Sequence, residues 1–179
     1  MNVFAAAASF AAKAHRGQMR MGAGEPYINH PLDVAATVAC FDADPTVLAA
    51  AVLHDVVEDC DVSLDEISRH FGPAVAALVD ELTDDPAWNA LPMAQRKSLQ
   101  AQKFESASPS AKRIKIADQW CNVGDLARED TGWSAQRLKT YGAAAVRIVD
   151  ACADASPQMA DHFHAAHEIL AVKIAEDGL

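Results

Sequence analysis

Apolar residues recur along the chain at three-to-four-residue spacing, broken by short polar segments rich in Gly, Pro or Ser, and no stretch keeps the in–out alternation of a strand. The rhythm predicts a helix from about residue 3 to 16, followed by a Gly/Pro-punctuated loop, GQMRMGAGEPYINHP, from Gly17 to Pro31. Helices are expected over about 31–41 and 45–59, with Pro31 and Pro45 in first turns, where a missing N–H costs nothing. Ser63 reads as an N-cap and Glu66, three residues on, completes a capping box before a helix ending at Gly72. Pro73 opens a helix to about Leu82, and LTDDPAWNALP is a turn-rich connection. Helices near 92–105, 109–127, 134–154 and 156–176 bring the set to about nine. With no repeat, linker or low-complexity segment, the expectation is a single all-α domain over residues 1–179.

Composition agrees: 51% of residues are hydrophobic types, and eight Gly with eight Pro is ordinary for a globular chain long enough to bury a core. Runs such as AAAASFAAKA favour helix through the high intrinsic propensity of Ala. Fifteen Lys and Arg face 25 Asp and Glu, a net charge of −10, and no basic block marks a nucleic-acid polymer as the partner. A small anion held by a local pocket or a metal remains compatible with that balance. The apolar start lacks the basic region of a signal peptide and is interrupted by Lys13, and no apolar run approaches a membrane span. A soluble cytoplasmic protein without a membrane partner is expected. Cys40, Cys60, Cys121 and Cys152 show no CxxC spacing and are expected to be reduced and buried.

The segment AAAVLHDVVEDCD, Ala49 to Asp61, concentrates the chemistry. Thr46 to Leu53 carries no charge, so its helix should run through the interior. His54, Asp55, Glu58 and Asp59 then arrive together, with His54 one helical turn below Glu58 and Asp55 one turn below Asp59. Three carboxylates and an imidazole on one stripe repel unless a cation or solvent compensates, and the same set suits zinc or a transition metal. The stripe equally fits the solvated face of an amphipathic helix. Two more candidate ligands occur in GEPYINHPLDVAA and KRIKIADQWCNVGDL: His30, fixed between Pro26 and Pro31, and Asp118, set among Ile114, Ile116, Ala117 and Trp120. Singly, His30 could be a helix-entry histidine and Asp118 a partner of Lys115.

AHRGQMRMGAGEPYINHP, LHDVVEDCDVSLDEISRHFG, LTDD, KIADQWCNVGDL, QRKSLQ and GWSAQRLKTY together resemble the hydrolase domain of RelA/SpoT-type alarmone enzymes. The resemblance extends to stand-alone small alarmone hydrolases, including the metazoan SpoT-like (Mesh-type) enzymes. The resemblance covers roughly residues 3 to 150 in order; residues 151–179 are further helix. It implies an HD-type helical fold that binds one Mn²⁺ per chain through His30, His54, Asp55 and Asp118. It also implies removal of the 3′-pyrophosphate of (p)ppGpp, with Glu58 and Asp59 orienting and deprotonating the attacking water. Arg20, Lys97, Asn122, Arg137 and Tyr141 match positions near the nucleotide. His15, in the AHRGQ motif, reads as structural, steadying the first loop. His162, His164 and His167 lie where the resemblance has faded and read as exposed helix.

The chain departs from the family where neutral Met21, Gln119 and Gly124 replace residues that are usually basic. Charge-assisted bonds hold phosphate best, so these losses favour an alternative substrate that is less charged, such as NADPH or another phosphorylated nucleotide. A third reading is a non-catalytic nucleotide-sensing module. A chain of 179 residues leaves no room for the synthetase domain of the bifunctional enzymes, so degradation alone is expected. Apolar helix faces leave a homo-oligomer open.

Overall fold

Prolines and short polar side chains set where the helices begin. In the computed structural model, which describes residues 2–20 and 24–177, every expected helix but the one over 45–59 is placed close to its span. Met21 lies outside the described residues. Asp44 accepts from Thr46 N at the start of one helix, Ser63 from Glu66 N, Ser108 from Ala111 N and Ser134 from Arg137 N. Each satisfies one of the N–H groups that a helix start leaves without an internal partner.

The described residues fall into two compact units. The first, over residues 2–20 and 24–86, holds α1 (Val3–Ala14), α2 (Asn29–Ala39), α3 (Pro45–Leu53), α4 (Val56–Asp59), α5 (Leu64–Phe71) and α6 (Pro73–Leu82). Helix α3 is its centre: α1, α2 and α6 all pack on it, and Ala49, Ala50, Ala51, Val52 and Leu53 are fully buried. Small side chains make this possible, since three consecutive alanines let neighbours approach from every side. The uncharged run from Thr46 to Leu53 is thus an interior helix, as its composition implies.

The second unit, from residue 87, holds α7 (Met93–Glu105), α8 (Pro109–Arg128), α9 (Ala135–Cys152) and α10 (Pro157–Asp177), with a short 3₁₀ turn at Ala153–Ala155. Helix α8 packs on α9 and α10, and α9 on α7 and α10. Lys173 of α10 closes the end of α8 by donating to the carbonyls of Leu126 (3.1 Å) and Glu129 (2.6 Å). Gly142 of α9 is where α10 comes closest: a Cβ there would lie 2.9 Å from His167 Nε2. Nine of the ten α-helices among the described residues exceed one turn, and no described helix is long and apolar enough to cross a membrane.

Three expectations need correction. The helix expected over 45–59 is two: α3 stops at Leu53, His54 and Asp55 form a turn, and α4 is a single turn. The backbone stays near helical, with Asp59 N still bonding Asp55 O at 2.9 Å, but the ladder is interrupted where the charges begin. Burial of the cysteines is also partial: all four are free thiols, yet Cys40 is exposed, Cys60 and Cys121 are half-buried, and only Cys152 is buried. The C-terminal histidines, finally, are not a bare solvated face. His162 stacks on Trp120 at 5.1 Å, His164 pairs with Asp150 at 3.2 Å, and His167 packs beside Phe163.

The thiols give a direct check. Burial pushes the Cys152 thiol up to about 12, which leaves almost no thiolate at pH 8. A disulfide reagent at that pH should label Cys40 first, and Cys152 only after denaturation, as followed by mass spectrometry of timed samples. Early labelling of Cys152 would contradict this packing.

Candidate metal centre

The interruption after α3 serves a local purpose. His54 caps α3, and its Nδ1 lies 2.8 Å from the carbonyl of Ala51, which can only accept. Nδ1 therefore carries the proton and Nε2 is the nitrogen with a lone pair. That atom lies 3.1 Å from Asp55 Oδ2, and His30 Nε2, from the first turn of α2, lies 3.9 Å from the same oxygen. The His30 and His54 rings stand at 67° with centroids 5.4 Å apart.

Donor atoms of His30, His54 and Asp55 all lie within 4.8 Å of one another, the one group of three or more such residues among those described. Both histidines are almost completely buried. A lone pair facing a carboxylate oxygen at 3.1 Å is repulsive unless a positive charge relieves it, either a second proton on the ring or a cation shared by both donors. Two imidazoles and a carboxylate, with the second nitrogen of one ring fixed by a carbonyl, form the usual surroundings of a divalent transition metal or zinc. The residues fit the metal.

Around this group the same unit places the acidic pair. Glu58 Oε1 accepts from the backbone N–H of Asp84 at 2.6 Å, which ties α4 to the LTDD turn after α6. Asp59 ends α4 with part of its surface in solvent. Burial first, then the Asp55 carboxylate, holds its carboxyl above the usual range, partly offset by a hydrogen bond from Tyr27. Tyr27 donates from its hydroxyl to Asp55 Oδ2 at 2.7 Å. The Arg20 guanidinium lies 5.9 Å from the Tyr27 ring. His15 stays structural: it is buried, with Nδ1 2.7 Å from Gln18 Oε1, and Gln18 Nε2 in turn reaches the carbonyl of Asp59.

The second unit carries the other expected residues in two groups. On α8 the Asp118 carboxylate is buried and gathers Lys115 Nζ at 2.9 Å, Gln119 Nε2 at 2.8 Å and Asn122 Nδ2. On α7 and α9, Lys97 Nζ lies 5.1 Å from the Tyr141 ring centre, and Arg137 Cζ only 3.8 Å from that of Trp133. Trp133 and Tyr141 meet edge to face at 5.7 Å. Arg137 and Tyr141 thus both meet Trp133.

Residues 7–141 match the HD-domain family. The chain is 46% identical over 147 residues to guanosine-3′,5′-bis(diphosphate) 3′-pyrophosphohydrolase MESH1 of Homo sapiens, covering 80% of each chain. It belongs to the HD-domain family. The MESH1 protein of Drosophila melanogaster is 42% identical over 146 residues, covering 79% of each chain. A solved structure described as a metazoan ortholog of SpoT that hydrolyses ppGpp and plays a role in starvation responses superposes with a TM-score of 0.85. It is 35% identical, with 94% of this chain and 95% of that chain covered. The all-helical HD fold expected from the motifs is the fold of this chain.

The structure also corrects what the neutral replacements mean. Gln119 has no exposed surface, and its amide donates to Asp118, so position 119 steadies that carboxylate. At Gly124 a Cβ would sit 3.1 Å from Arg128 Nη1, so a guanidinium one turn on already stands beside that glycine. Sequence reasoning passed over Tyr27, Asp84 and Trp133. Tyr27 lies inside the quoted GEPYINHP and Trp133 inside GWSAQRLKTY, so an aromatic within a candidate motif was the available signal.

Proposed function

We propose that this chain is a manganese-dependent hydrolase that removes the 3′-pyrophosphate from (p)ppGpp, leaving GDP or GTP and pyrophosphate. The observation that carries the reading is the buried His30–His54–Asp55 donor group with the Glu58–Asp59 pair beside it, in a chain 46% identical to a protein named for that reaction. His30, His54 and Asp55 are the ligands on the first unit, and Asp118 is the fourth. The support for Asp118 is its place in KIADQWCN and a buried carboxylate already oriented by three donors of its own helix. Mn²⁺ held there would lower the pKa of a water molecule and polarise a phosphoryl oxygen.

The remaining work falls to the chain's own groups. Glu58, anchored by the Asp84 N–H, orients the water, and Asp59 accepts its proton. A carboxyl held above the ordinary range is better matched to that role near neutral pH than an unperturbed one. Arg20, Lys97 and Arg137 supply cations for the phosphates, Asn122 and Tyr141 polar contacts to the nucleoside, and the nucleotide is the partner in place of any polymer.

A less charged substrate, NADPH included, is the second reading. Its support rested on three lost cations, and the buried Gln119 and the Arg128 guanidinium beside Gly124 leave it weaker. Purified protein with Mn²⁺, offered ppGpp, pGpp, NADPH and nucleoside monophosphates, should release pyrophosphate from the first two at a kcat/KM at least about tenfold above any other, a margin of about 1.4 kcal/mol in transition-state binding. Turnover of NADPH alone would replace the first reading, and metal-dependent turnover of nothing would favour a nucleotide-sensing module.

A further inference from the structure

Tyr27 is the residue around the donor group that neither the sequence motifs nor the proposed chemistry uses. It lies in the turn before α2, and its hydroxyl donates to Asp55 Oδ2 at 2.7 Å. Its ring is fixed on both sides, 4.9 Å from the His15 ring and 6.0 Å from the His30 ring. His15 is held by Gln18, and Gln18 also donates to the backbone oxygen of Asp59 at 2.9 Å. The end of α1, the loop after it and α4 therefore converge on one phenol.

We infer that Tyr27 is a positioning residue: its hydroxyl fixes the Asp55 carboxylate for the metal. This rests on the reading of His30, His54 and Asp55 as the metal donors. A hydrogen bond to one oxygen of a ligating carboxylate restricts its rotation, and Oδ2, the oxygen that Tyr27 bonds, is also the one that His54 Nε2 and His30 Nε2 face at 3.1 and 3.9 Å. Partners of this kind typically change metal affinity by about 10- to 100-fold.

Tyr27→Phe keeps the ring contacts and removes one O–H. Titrating metal-free protein with Mn²⁺ and reading free ion by electron paramagnetic resonance should show affinity lowered about tenfold or more. At saturating Mn²⁺, kcat for ppGpp should fall with KM nearly unchanged, because no substrate contact is lost. Unchanged Mn²⁺ affinity and kcat overturn the inference, and so does a Tyr27→Phe chain that loses its helical far-UV signal, which would make the residue structural. Asp55→Asn separates this from the reading beneath it. If Asp55→Asn binds Mn²⁺ like the wild type, the metal centre itself is wrong. If Asp55→Asn loses Mn²⁺ and Tyr27→Phe does not, only the role of Tyr27 falls.

Discussion

Changing Glu58→Gln and Asp59→Asn together should lower kcat by about 10³-fold, the scale of a lost general base and its partner, while Mn²⁺ still binds. The amide introduced by Glu58→Gln keeps an oxygen for the Asp84 N–H, so α4 should stay attached to the LTDD turn. The Asp59→Asn change should not destabilise the metal-free chain near neutral pH. The sign follows from the direction of the shift: a carboxyl held higher in the folded than in the unfolded state contributes stability below its unfolded pKa. That contribution is lost as pH rises through the folded pKa. At neutral pH the ionised Asp59 therefore opposes folding, and a neutral isostere removes the opposition. Single-turnover hydrolysis, Mn²⁺ titration and Tm of the metal-free double variant are the three measurements. A near wild-type rate would remove the pair from the chemistry, and a Tm lower by many degrees would make it structural.

The second large effect is expected at Asp118. Its carboxylate pairs with Lys115 three residues earlier, and both side chains are more than nine-tenths buried. Removing one charge of such a pair strands the other, at a cost of about 3 kcal/mol or more, a large share of the stability of a small domain. Asp118→Asn should therefore lower both the Mn²⁺ affinity and the urea midpoint. Lys115→Met with Asp118→Asn should restore much of the stability, since replacing a buried pair by well-packed neutral groups is often neutral, yet leave Mn²⁺ binding and turnover defective. If the double variant regained activity along with its stability, Asp118 would be a structural acid and the fourth ligand would lie elsewhere.

Helix starts were legible because they are decided locally. Pro45, Pro73, Pro109 and Pro157 each open a helix, and Ser63, Ser108 and Ser134 each accept the bond that a cap should. The interior run of α3 was equally legible, since an unbroken uncharged segment from Thr46 to Leu53 leaves no solvent-facing side. The turn at His54 and Asp55 was not. Every residue there tolerates helix, and the interruption accompanies an imidazole turned onto the Ala51 carbonyl and a carboxylate bonded by Tyr27 from another element. Local propensity holds no record of either contact.

The candidate site divides the same way. His30, His54 and Asp55 could be nominated from residue type and motif, and the structure brings their donor atoms together. The partners that orient them could not, because a tyrosine 28 positions away from Asp55 carries no spacing rule. Gln119 shows the converse error. Counted as a missing cation, it turns out to be an inward-facing amide that holds Asp118, a role open only to a side chain with a donor at that length.

The absence of a side chain at Gly142 also couples two positions. With His167 Nε2 2.9 Å from where a Cβ would stand, alanine at that glycine asks the imidazole to move aside, whereas a shorter residue at 167 leaves room for the methyl. Substitutions at 142 and 167 are therefore not independent: what the methyl costs depends on the side chain that faces it across the α9–α10 crossing.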